Sequence, residues 1–525
     1  MGRLVVVSNR VSVPRRGEPP AAGGLAVALD EAFGAREGGV WFGWSGARSP
    51  GEPEPGTRLH RRGGVDYHTF DLSEEAYRGF YAGHANAVLW PLFHFRLGLL
   101  AYDRSRALAY REVNREYARR LAPLLRPGDT VWVHDYQLVP LGAELRALGV
   151  EGRIGYFHHI PFPPWAVLST MPGAEGIPRD LLAYDHVGVQ TRRDLQGLVD
   201  CMEGATGMAV RPPPEGGVAV VRFRGRETRL AHHPIGIATR EFERTARRAA
   251  GGAASRRFQA SLAGRALVIG AERLDYTKGL PERLKGFAAL LRRYPEHVDR
   301  VTYLQVAARS RDDVEPYRDL REEIGLLAGT INGDHGGVDW TPVRYVARAV
   351  PRDDLAGYCR VARVGLVTPL RDGMNLVAKE YVAAQDPADP GVLVLSRFAG
   401  AAEGMPEALL VNPLDAEGMA EALDAALRMP LDERRERHGA MLRRLRENTV
   451  TDWARGYLRA LEDDSSSSGD EAVTPPLPPP SADRGETGSS SRPRKARKAA
   501  SKASGGGSGS QRAPGARKAS ARRAL

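Results

Sequence analysis

The sequence is poor in cysteine, and this scarcity excludes several classes of protein. Its 525 residues include two cysteines, Cys201 and Cys359, which lie far apart and match no metal-binding spacing. Two cysteines cannot form the disulfide framework of a small secreted protein, so we expect a reducing, cytoplasmic environment. His134, His158 and His159 come from neighbouring predicted strands, but successive residues of a strand point to opposite faces. The sequence therefore predicts no metal site and no cofactor.

Long apolar runs and several common catalytic signatures are also missing. No apolar run approaches the roughly 18 residues of a membrane helix, so no membrane partner is expected. The run at residues 4–7 is too short for the core of a secretory signal. Neither a Walker A phosphate loop nor a Gly-x-Ser-x-Gly nucleophile turn occurs. These absences argue against a P-loop nucleotidase and against a serine hydrolase of the α/β type.

The positive charge is concentrated at the C-terminal end of the sequence. The formal net charge is +11, and about half of this excess lies in residues 463–525. That segment is rich in Ser, Pro, Gly and Ala and cannot bury much apolar surface, so it is predicted to be disordered. It could contact polyanions nonspecifically. The favoured alternative is a solubilising extension without a specific partner, whose deletion leaves the function of the folded part intact.

The rest of the sequence alternates between short apolar strands and amphipathic helices, which predicts α/β domains with parallel sheets. A first set of predicted strands comprises residues 4–7, 41–44, 67–72, 130–134, 154–158 and 186–190. After a pause near residue 237, a second set comprises residues 266–270, 301–306, 361–367 and 392–396. Predicted helices include residues 25–33, 104–121, 416–428 and 431–461.

This alternation predicts two domains that face each other across a cleft. We expect the first at residues 1–237, the second at 238–445, a terminal helix at 446–462 and the disordered tail at 463–525. Ligands of open α/β sheets bind at the carboxyl ends of the strands, so the ligand site is expected in the cleft.

Polar side chains cluster where one strand of the second domain meets the next helix. Asp372 and Asn375 precede a helix predicted to begin at Leu376, and Glu380 lies one turn further on. A helix N-terminus carries free backbone N–H groups and a positive partial charge, which suit a phosphate. An ordinary strand–helix connection is the alternative, and on these residues alone both stay open.

Several basic residues follow predicted strands. Arg273 and Lys278 lie five residues apart on a predicted loop and suit a diphosphate, although a solvated surface pair is the more frequent meaning of such spacing. Arg10 and Arg311 follow strands of different domains and could together clamp a phosphate as the cleft closes. Gly24, just before a predicted helix, would let a ligand approach the backbone.

Four further residues have both a functional and a structural interpretation. Tyr81 and Trp90 offer a hydroxyl and an indole N–H, but they are more often core aromatics. Asp135 and His159 each end a strand, where an Asp is often a helix N-cap and a His is often a satisfied structural group. The residues alone do not decide between these alternatives.

Eight motifs occur in a fixed order along residues 1–462: VVSNR at 6–10, GGLA at 23–26, WFGWSG at 41–46, NAVLWP at 86–91, WVHDY at 132–136, HIPFP at 159–163, ERLDYTKG at 272–279 and DGMNLVAKEYV at 372–382. Together they closely resemble the motifs of the trehalose-6-phosphate synthases, glycosyltransferase family 20. The resemblance implies the GT-B fold, in which two Rossmann-like domains face a central cleft. The tail lies outside the resemblance.

The resemblance also implies an activity. Family members transfer glucose, with retention, from a nucleoside-diphosphate glucose to glucose 6-phosphate and form α,α-trehalose 6-phosphate, the first step of trehalose biosynthesis. UDP-glucose is the favoured donor here, and a metal-independent front-face mechanism and a homo-oligomer are expected. One alternative is a sibling transferase, such as a glucosylglycerol-phosphate synthase or a cyclitol pseudoglycosyltransferase. Another is a non-catalytic nucleotide-sugar sensor or nucleic-acid-binding regulator.

Matching positions assign the site residues. The resemblance implies that the donor is bound by Gly24, His159, Arg273, Lys278, Asp372, Asn375, Leu376, Val377 and Glu380. It implies that the acceptor is bound by Arg10, Tyr81, Trp90, Asp135 and Arg311. Arg273, Lys278, Asp135, His159 and Asp372 form the implied catalytic group. The chain departs from the family pattern at Arg309, at Gly404 and at His158.

Overall fold

The computed structural model describes residues 2–14, 33, 38–210, 217–309 and 315–463. Gly24, Arg311 and the segment 464–525 lie outside these ranges, as does all of the helix predicted at 25–33 except Phe33, which is helical. Within the described part of the chain, no helix is both long and apolar enough to cross a membrane.

The first domain is built on a nine-stranded sheet. Its strands are β1 Leu4–Arg10, β2 Gly39–Ser49, β3 Arg58–Arg62, β4 Val65–Ser73, β5 Thr130–His134, β6 Arg153–Phe157, β7 His186–Val189, β8 Ala219–Phe223 and β9 Arg226–His232. They are ordered β3-β4-β2-β1-β5-β6-β7-β9-β8. The β3/β4 and β8/β9 pairs at the edges are antiparallel, and the other neighbours are parallel.

The second domain is built on a six-stranded, fully parallel sheet. Its strands are β10 Ala266–Arg273, β11 Val301–Ala308, β12 Val343–Val346, β13 Val364–Val367, β14 Val392–Ser396 and β15 Leu409–Val411. The order β12-β11-β10-β13-β14-β15 reverses direction beside β10, which is the kind of position where α/β sheets bind ligands. The GT-B arrangement predicted from the sequence is confirmed, whereas the exact domain boundaries stay a prediction.

Helices cover both sheets. The longer ones are α1 Arg104–Leu121, α2 Leu141–Ala147, α3 Arg192–Thr206, α4 Thr239–Ala250, α5 Ala253–Ser261, α6 Leu280–Arg293, α7 Glu315–His335, α8 Arg352–Val361, α9 Leu376–Ala384, α10 Ala416–Arg428, α11 Leu431–Glu447 and α12 Val450–Glu462. A continuous helical segment also joins Glu74–Ala76, the π-helical Tyr77–Leu89 and Trp90–Phe93. Short helices lie at Trp165–Leu168 and Gly176–Leu181.

Three sequence predictions need correction. The strand predicted at 361–367 is shorter, because Val361 still belongs to α8. The helix predicted at 431–461 is two helices: Thr449 and Asp452 form a capping box that starts α12 anew. The strand predicted at 266–270 continues to Arg273, so this residue ends β10 instead of lying on a loop.

The last helix returns to the first domain. Tyr457 of α12 stacks on Trp132 of β5 with ring centroids 4.6 Å apart, and Trp453 lies 5.2 Å from the same ring. All three side chains are buried. A Cβ at Gly155 of β6 would lie 2.5 Å from the Tyr457 hydroxyl, so this glycine lets the helix approach the sheet. Although α12 follows the second domain in sequence, it packs on the first and ties the two together.

Burial lowers the pKa of several histidines in the first domain. The His158 side chain is fully buried, and it accepts a hydrogen bond from the Tyr156 hydroxyl and donates one to the Pro161 carbonyl. Burial lowers the pKa of His158 to about 3 and that of His94 and His84 to about 4. The neutral form is therefore the one that the fold favours, and its stabilising effect is lost as the pH falls below the unfolded-state value of about 6.5.

We expect the His158→Gln variant to show a weaker loss of stability in acid than the unmodified chain. Glutamine places an amide N–H near the position of Nε2, where it can donate to the Pro161 carbonyl, and it does not titrate. Between pH 7.5 and 5.5 the unmodified chain should lose about 1.4 kcal/mol more free energy of unfolding than the variant. Urea unfolding at the two pH values measures this difference. Parallel losses in the two proteins would show that His158 is not held neutral by the fold.

Candidate active site

A cavity of about 520 Å³ lies between the two domains, at the carboxyl ends of their central strands. The first domain contributes His159, Gln190 and Ile235 to its wall. The second domain contributes residues that follow or end β10, β11 and β12, and the start of α9: Ala271, Glu272, Arg273, Lys278, Val306, Ala308, Ala349, Val350, Leu355, Asp372, Met374, Asn375, Leu376 and Val377. The cleft expected from the sequence is therefore present, and seven predicted donor-site residues line it.

The polar centre of the cavity is an ion pair. The Nζ atom of Lys278 lies 2.5 Å from Oδ2 of Asp372, and the Nδ2 atom of Asn375 donates to the same oxygen at 3.0 Å. The Lys278 side chain is mostly buried, so the pair is screened less than a surface salt bridge. The carboxylate of Asp372 thus holds both the lysine ammonium and the asparagine amide at the cavity wall.

The N-terminus of α9 opens onto the same cavity. Asn375 adopts a left-handed conformation (φ 75°), and its side-chain oxygen accepts a hydrogen bond from the amide of Ala378. The amides of Leu376 and Val377 are the first two of the helix, where backbone N–H groups have no partner within the helix. Both residues line the cavity.

Glycine is needed where the loop before α9 meets the first domain. A Cβ at Gly373 would lie 2.3 Å from the carbonyl oxygen of His159, and one at Gly400 would lie 1.9 Å from the carbonyl oxygen of Gly373. No larger residue fits without moving the backbone. This contact brings the His159 loop of one domain against the Asp372 loop of the other.

Arg273 and Glu380 complete the predicted donor set in different ways. Arg273 is exposed at the end of β10 and lines the cavity five residues before Lys278, which lies in a 3₁₀ turn. Glu380 lies one helical turn after Leu376, and its Oε1 lies 3.9 Å from Nη2 of Arg352. Burial raises the pKa of Glu380, and Arg352 opposes this shift.

His159 is held by a second histidine. Its Nε2 lies 3.0 Å from Nδ1 of His134, and its backbone amide donates to Oδ1 of Asp135 at 3.2 Å. Burial lowers the pKa of His159 to about 3, so the imidazole is neutral at physiological pH. Asp135 has a positive φ of 75°, a strained value for a residue other than glycine that is held by the surrounding contacts.

The four predicted acceptor residues that the structure describes, Arg10, Tyr81, Trp90 and Asp135, belong to the first domain. Arg10 ends β1 instead of following it, and it is exposed beside Gly46, where a Cβ would lie 2.4 Å from its Nε atom. The Tyr81 ring lies 5.9 Å from that of Trp44, the residue paired with Arg10 in the sheet. Trp90 is buried, with its ring 5.7 Å from Tyr136, the neighbour of Asp135. Arg10 and Tyr81 thus share Trp44 as a neighbour, and none of the four lines the cavity described above.

Sequence reasoning missed several residues of the site. Gln190, at the end of β7, and Met374 both line the cavity. The Arg371 guanidinium lies 3.7 Å from the centroid of Phe95, a contact between the two domains, and Phe95 has a φ of 61°. A polar residue directly after a buried strand was the available signal for Gln190. No local pattern predicts the Arg371–Phe95 contact, because it joins residues far apart in sequence.

The chain departs from the family pattern at Gly404 and Arg309, and the structure shows the surroundings of both positions. The Glu403 carboxylate accepts from the amides of Arg192 and Arg193 at 3.1 and 3.5 Å, so it caps α3 across the domain interface. A Cβ at Gly404 would meet open space, and Arg309 is exposed. Among the residues that the structure describes, no group of three or more His, Cys, Asp or Glu side chains could hold a metal ion.

The protein has two Rossmann-like domains whose strand ends face a cleft. The cations Arg273 and Lys278 and a helix N-terminus line this cleft. This is the architecture of the GT-B class of glycosyltransferases. The sequence profile described as Glycosyltransferase family 20 matches residues 3–463. The chain is 48% identical over 472 residues to the trehalose-6-phosphate synthase of Sinorhizobium fredii, covering 89% of this chain and 100% of that protein. The chain belongs to glycosyltransferase family 20.

Solved structures agree with this assignment. An α,α-trehalose-phosphate synthase (UDP-forming) from Burkholderia xenovorans, in complex with glucose-6-phosphate, is 45% identical with a TM-score of 0.83 and covers 88% of this chain and 100% of its own. A structure from E. coli bound with UDP-2-fluoro glucose is 42% identical with a TM-score of 0.81 and covers 88% and 99%. The family resemblance and the fold predicted from the sequence are confirmed.

Proposed function

We propose that this chain transfers glucose from UDP-glucose to glucose 6-phosphate, with retention, and forms α,α-trehalose 6-phosphate. The observation that carries the proposal is the Lys278–Asp372–Asn375 cluster at the start of α9, inside a cleft walled by both domains. Relatives that match the whole described length are trehalose-6-phosphate synthases, and their structures hold glucose-6-phosphate or a UDP-glucose analogue. These ligands are the two substrates that the proposal assigns to this chain.

The donor would bind along the second domain. Arg273 and Lys278 would supply two positive charges for the diphosphate, and the first amides of α9, at Leu376 and Val377, would donate to the same anion. Asp372, Asn375 and His159 are placed for the glucosyl hydroxyl groups. Glu380, one turn along α9, would accept from the ribose. Gly24, which lies outside the described residues, is proposed to let the N-terminal loop cover the donor.

The acceptor would bind along the first domain. Arg10 supplies an exposed guanidinium at the edge of the sheet, and Tyr81 and Trp90 supply a hydroxyl and an indole N–H nearby. Asp135 is proposed to contact the acceptor sugar. Arg311, outside the described residues, would contribute the second guanidinium from the other domain.

The geometry favours a front-face reaction over a double displacement. A carboxylate nucleophile, as used by retaining glycosidases, would have to be Asp135 or Asp372. The Oδ2 of Asp372 is already shared by Lys278 and Asn375, and Oδ1 of Asp135 accepts from the amide of His159. The leaving diphosphate then takes the proton of the acceptor hydroxyl while an oxocarbenium-like state forms. The protein contributes positioning and charge stabilisation.

A donor-by-acceptor panel tests the proposal. We expect nucleotide release from UDP-glucose or GDP-glucose to require glucose 6-phosphate, with NMR of the product showing an α,α-1,1 linkage. Glycerol 3-phosphate as acceptor distinguishes a sibling transferase. Absence of nucleotide release with every sugar phosphate would contradict transferase activity and favour a sensor. A cytoplasmic location, a homo-oligomeric state and nonspecific polyanion contacts of the tail stay predictions.

A further inference from the structure

A fully buried arginine lies behind the loop that carries Lys278. Arg283 is in the first turn of α6, and its side chain has no solvent exposure. Its Nε donates to the Thr368 hydroxyl at 3.1 Å, and its Nη2 donates to the carbonyl oxygen of Lys278 at 3.2 Å. Its Nη1 donates to the Glu272 carboxylate and, at 3.1 Å, to Oε1 of Gln305. One guanidinium therefore contacts four separate segments of the second domain.

The sheet leaves a dedicated space for this guanidinium. A Cβ at Gly270 of β10 would lie 2.6 Å from Nη1 of Arg283 and 3.0 Å from the Tyr303 hydroxyl. The Nε2 atom of Gln305 donates to Oε1 of Glu272 at 2.6 Å, so the counter-ion of the arginine is itself held in place. Burial alone would lower the pKa of Arg283, but Glu272 beside it outweighs that effect and raises the pKa. The ion pair is therefore compensated inside the fold.

Three of the four segments carry proposed donor-site residues, since Glu272 directly precedes Arg273 on β10. Lys278, whose carbonyl binds Arg283, places its ammonium against Asp372. Thr368 begins the loop that leads to Asp372 and Asn375. The two loops also touch directly: the amide of Leu370 donates to the Thr277 carbonyl at 2.9 Å. Gly279 adopts a left-handed φ of 65°, and a Cβ there would lie 2.4 Å from the Thr368 carbonyl oxygen.

We propose that Arg283 is a positioning residue for the transferase site, because its planar guanidinium fixes the Lys278 loop and the Thr368–Asn375 loop relative to each other. The inference rests on the proposed function. Arginine is suited to this role because its donors lie in a rigid fork, whereas a lysine ammonium is a point charge on a flexible stem. Lysine at this position would keep the charge opposite Glu272 and could not reach Thr368 and Lys278 together.

The test compares two conservative variants, Arg283→Lys and Arg434→Lys. Arg434 of α11 is a matched control: it is a nearly buried arginine of the same domain that donates to the Met429 carbonyl and to Asp389. Neither contact belongs to the donor site. Melting temperature, UDP affinity by calorimetry, kcat and KM are measured on the full-length chain for both.

We expect both variants to fold, and Arg283→Lys alone to lose function. A displacement of reacting groups by about 1 Å can cost about 100-fold in rate, so kcat/KM of Arg283→Lys should fall by about that factor, and its UDP affinity should weaken by about 10-fold. Arg434→Lys should keep both values within about threefold. Equal effects of the two variants, after matching for melting temperature, would overturn the proposal.

Thr368→Val keeps the test decisive if Arg283→Lys does not fold. Valine has nearly the same shape as threonine. The substitution leaves Arg283 and its charge in place but removes the hydroxyl that accepts a hydrogen bond from its Nε. UDP affinity and kcat/KM should each fall by several-fold, and unchanged values would count against the positioning role. The unmodified chain could also bind UDP, with weaker binding in Arg283→Lys, and yet transfer no glucose. That result would refute the proposed function but leave the positioning role of Arg283 intact.

Discussion

The Arg273→Ala variant is expected to lose turnover by roughly 100- to 1,000-fold, as enzymes do when one pre-organised charge-stabilising group is removed. Arg273 ends β10, so its backbone is fixed by the parallel pairing of that strand with β11 up to its last residue. Its side chain is exposed at the cavity wall. The guanidinium is thus held at its base and open to a ligand at its tip.

The physical reason is the charge that develops on the leaving diphosphate. In a front-face reaction this charge grows as the glycosidic bond breaks, and Arg273 and Lys278 are the cations that we propose to lie beside it. Lys278 already shares its ammonium with Asp372, so it cannot compensate fully for a lost arginine. We therefore expect UDP affinity to weaken together with kcat, because ground state and transition state both carry the diphosphate.

Arg292→Ala is the matched control for this variant. Arg292 is an exposed arginine on α6 of the same domain that pairs with Glu417 on α10. Its removal should leave kcat and UDP affinity within about threefold, since exposed ion pairs contribute about 0–1 kcal/mol. Turnover of Arg273→Ala within tenfold of the unmodified chain would refute the assignment of Arg273 to the diphosphate.

Strands with strong local patterns could be predicted from the sequence almost to the residue. The apolar runs that became Thr130–His134 and Val392–Ser396 are bounded by turn-forming residues, so their limits are encoded locally. The helix Arg104–Leu121 was predicted for the same reason, since its apolar period is 3.6 and Pro123 follows. The donor cluster at the start of α9 was visible as polar residues between a strand and a helix.

Features that depend on distant contacts could not be predicted in this way. The hydrogen bond from Arg283 to Thr368 joins residues that are 85 positions apart in the sequence. In the sequence, Arg283 is one of many arginines on amphipathic helices. The return of α12 to β5 depends on Trp132 and Tyr457, which have no neighbouring signal. The break between α11 and α12 was encoded locally, in Thr449 and Asp452, and was overlooked.

These two kinds of feature have different roles in the site. The groups proposed to touch substrate come from short motifs at strand ends, where local sequence determines the position of each side chain. The relative placement of those motifs comes from long-range contacts: Gly373 against His159, Arg371 over Phe95, and Arg283 behind both donor loops. Short motifs can therefore identify the chemistry of such a chain, but they do not determine how its substrate-binding groups are placed relative to one another.

The Asp372→Asn variant is expected to separate sugar recognition from diphosphate binding. The substitution is nearly isosteric, and the backbone of residue 372 stays fixed because its amide donates to the Phe398 carbonyl and its carbonyl accepts from Gly400. What changes is the charge facing Lys278 and the acceptor strength of the oxygen shared with Asn375. A hydrogen bond to a charged group contributes about 1.5–3 kcal/mol, so losing it for the glucosyl hydroxyl should lower kcat/KM by about 10- to 100-fold.

UDP affinity is expected to fall in Arg273→Ala but not in Asp372→Asn. Lys278 is still present and is released from its carboxylate partner, so UDP should bind at least as tightly as in the unmodified chain while transfer from UDP-glucose falls. Asp386→Asn, on an exposed aspartate paired with Arg360, is the control and should change neither value. If UDP affinity and transfer fall together in Asp372→Asn, the carboxylate acts on the diphosphate side, by holding Lys278 in place, and the assignment of Asp372 to the sugar is wrong.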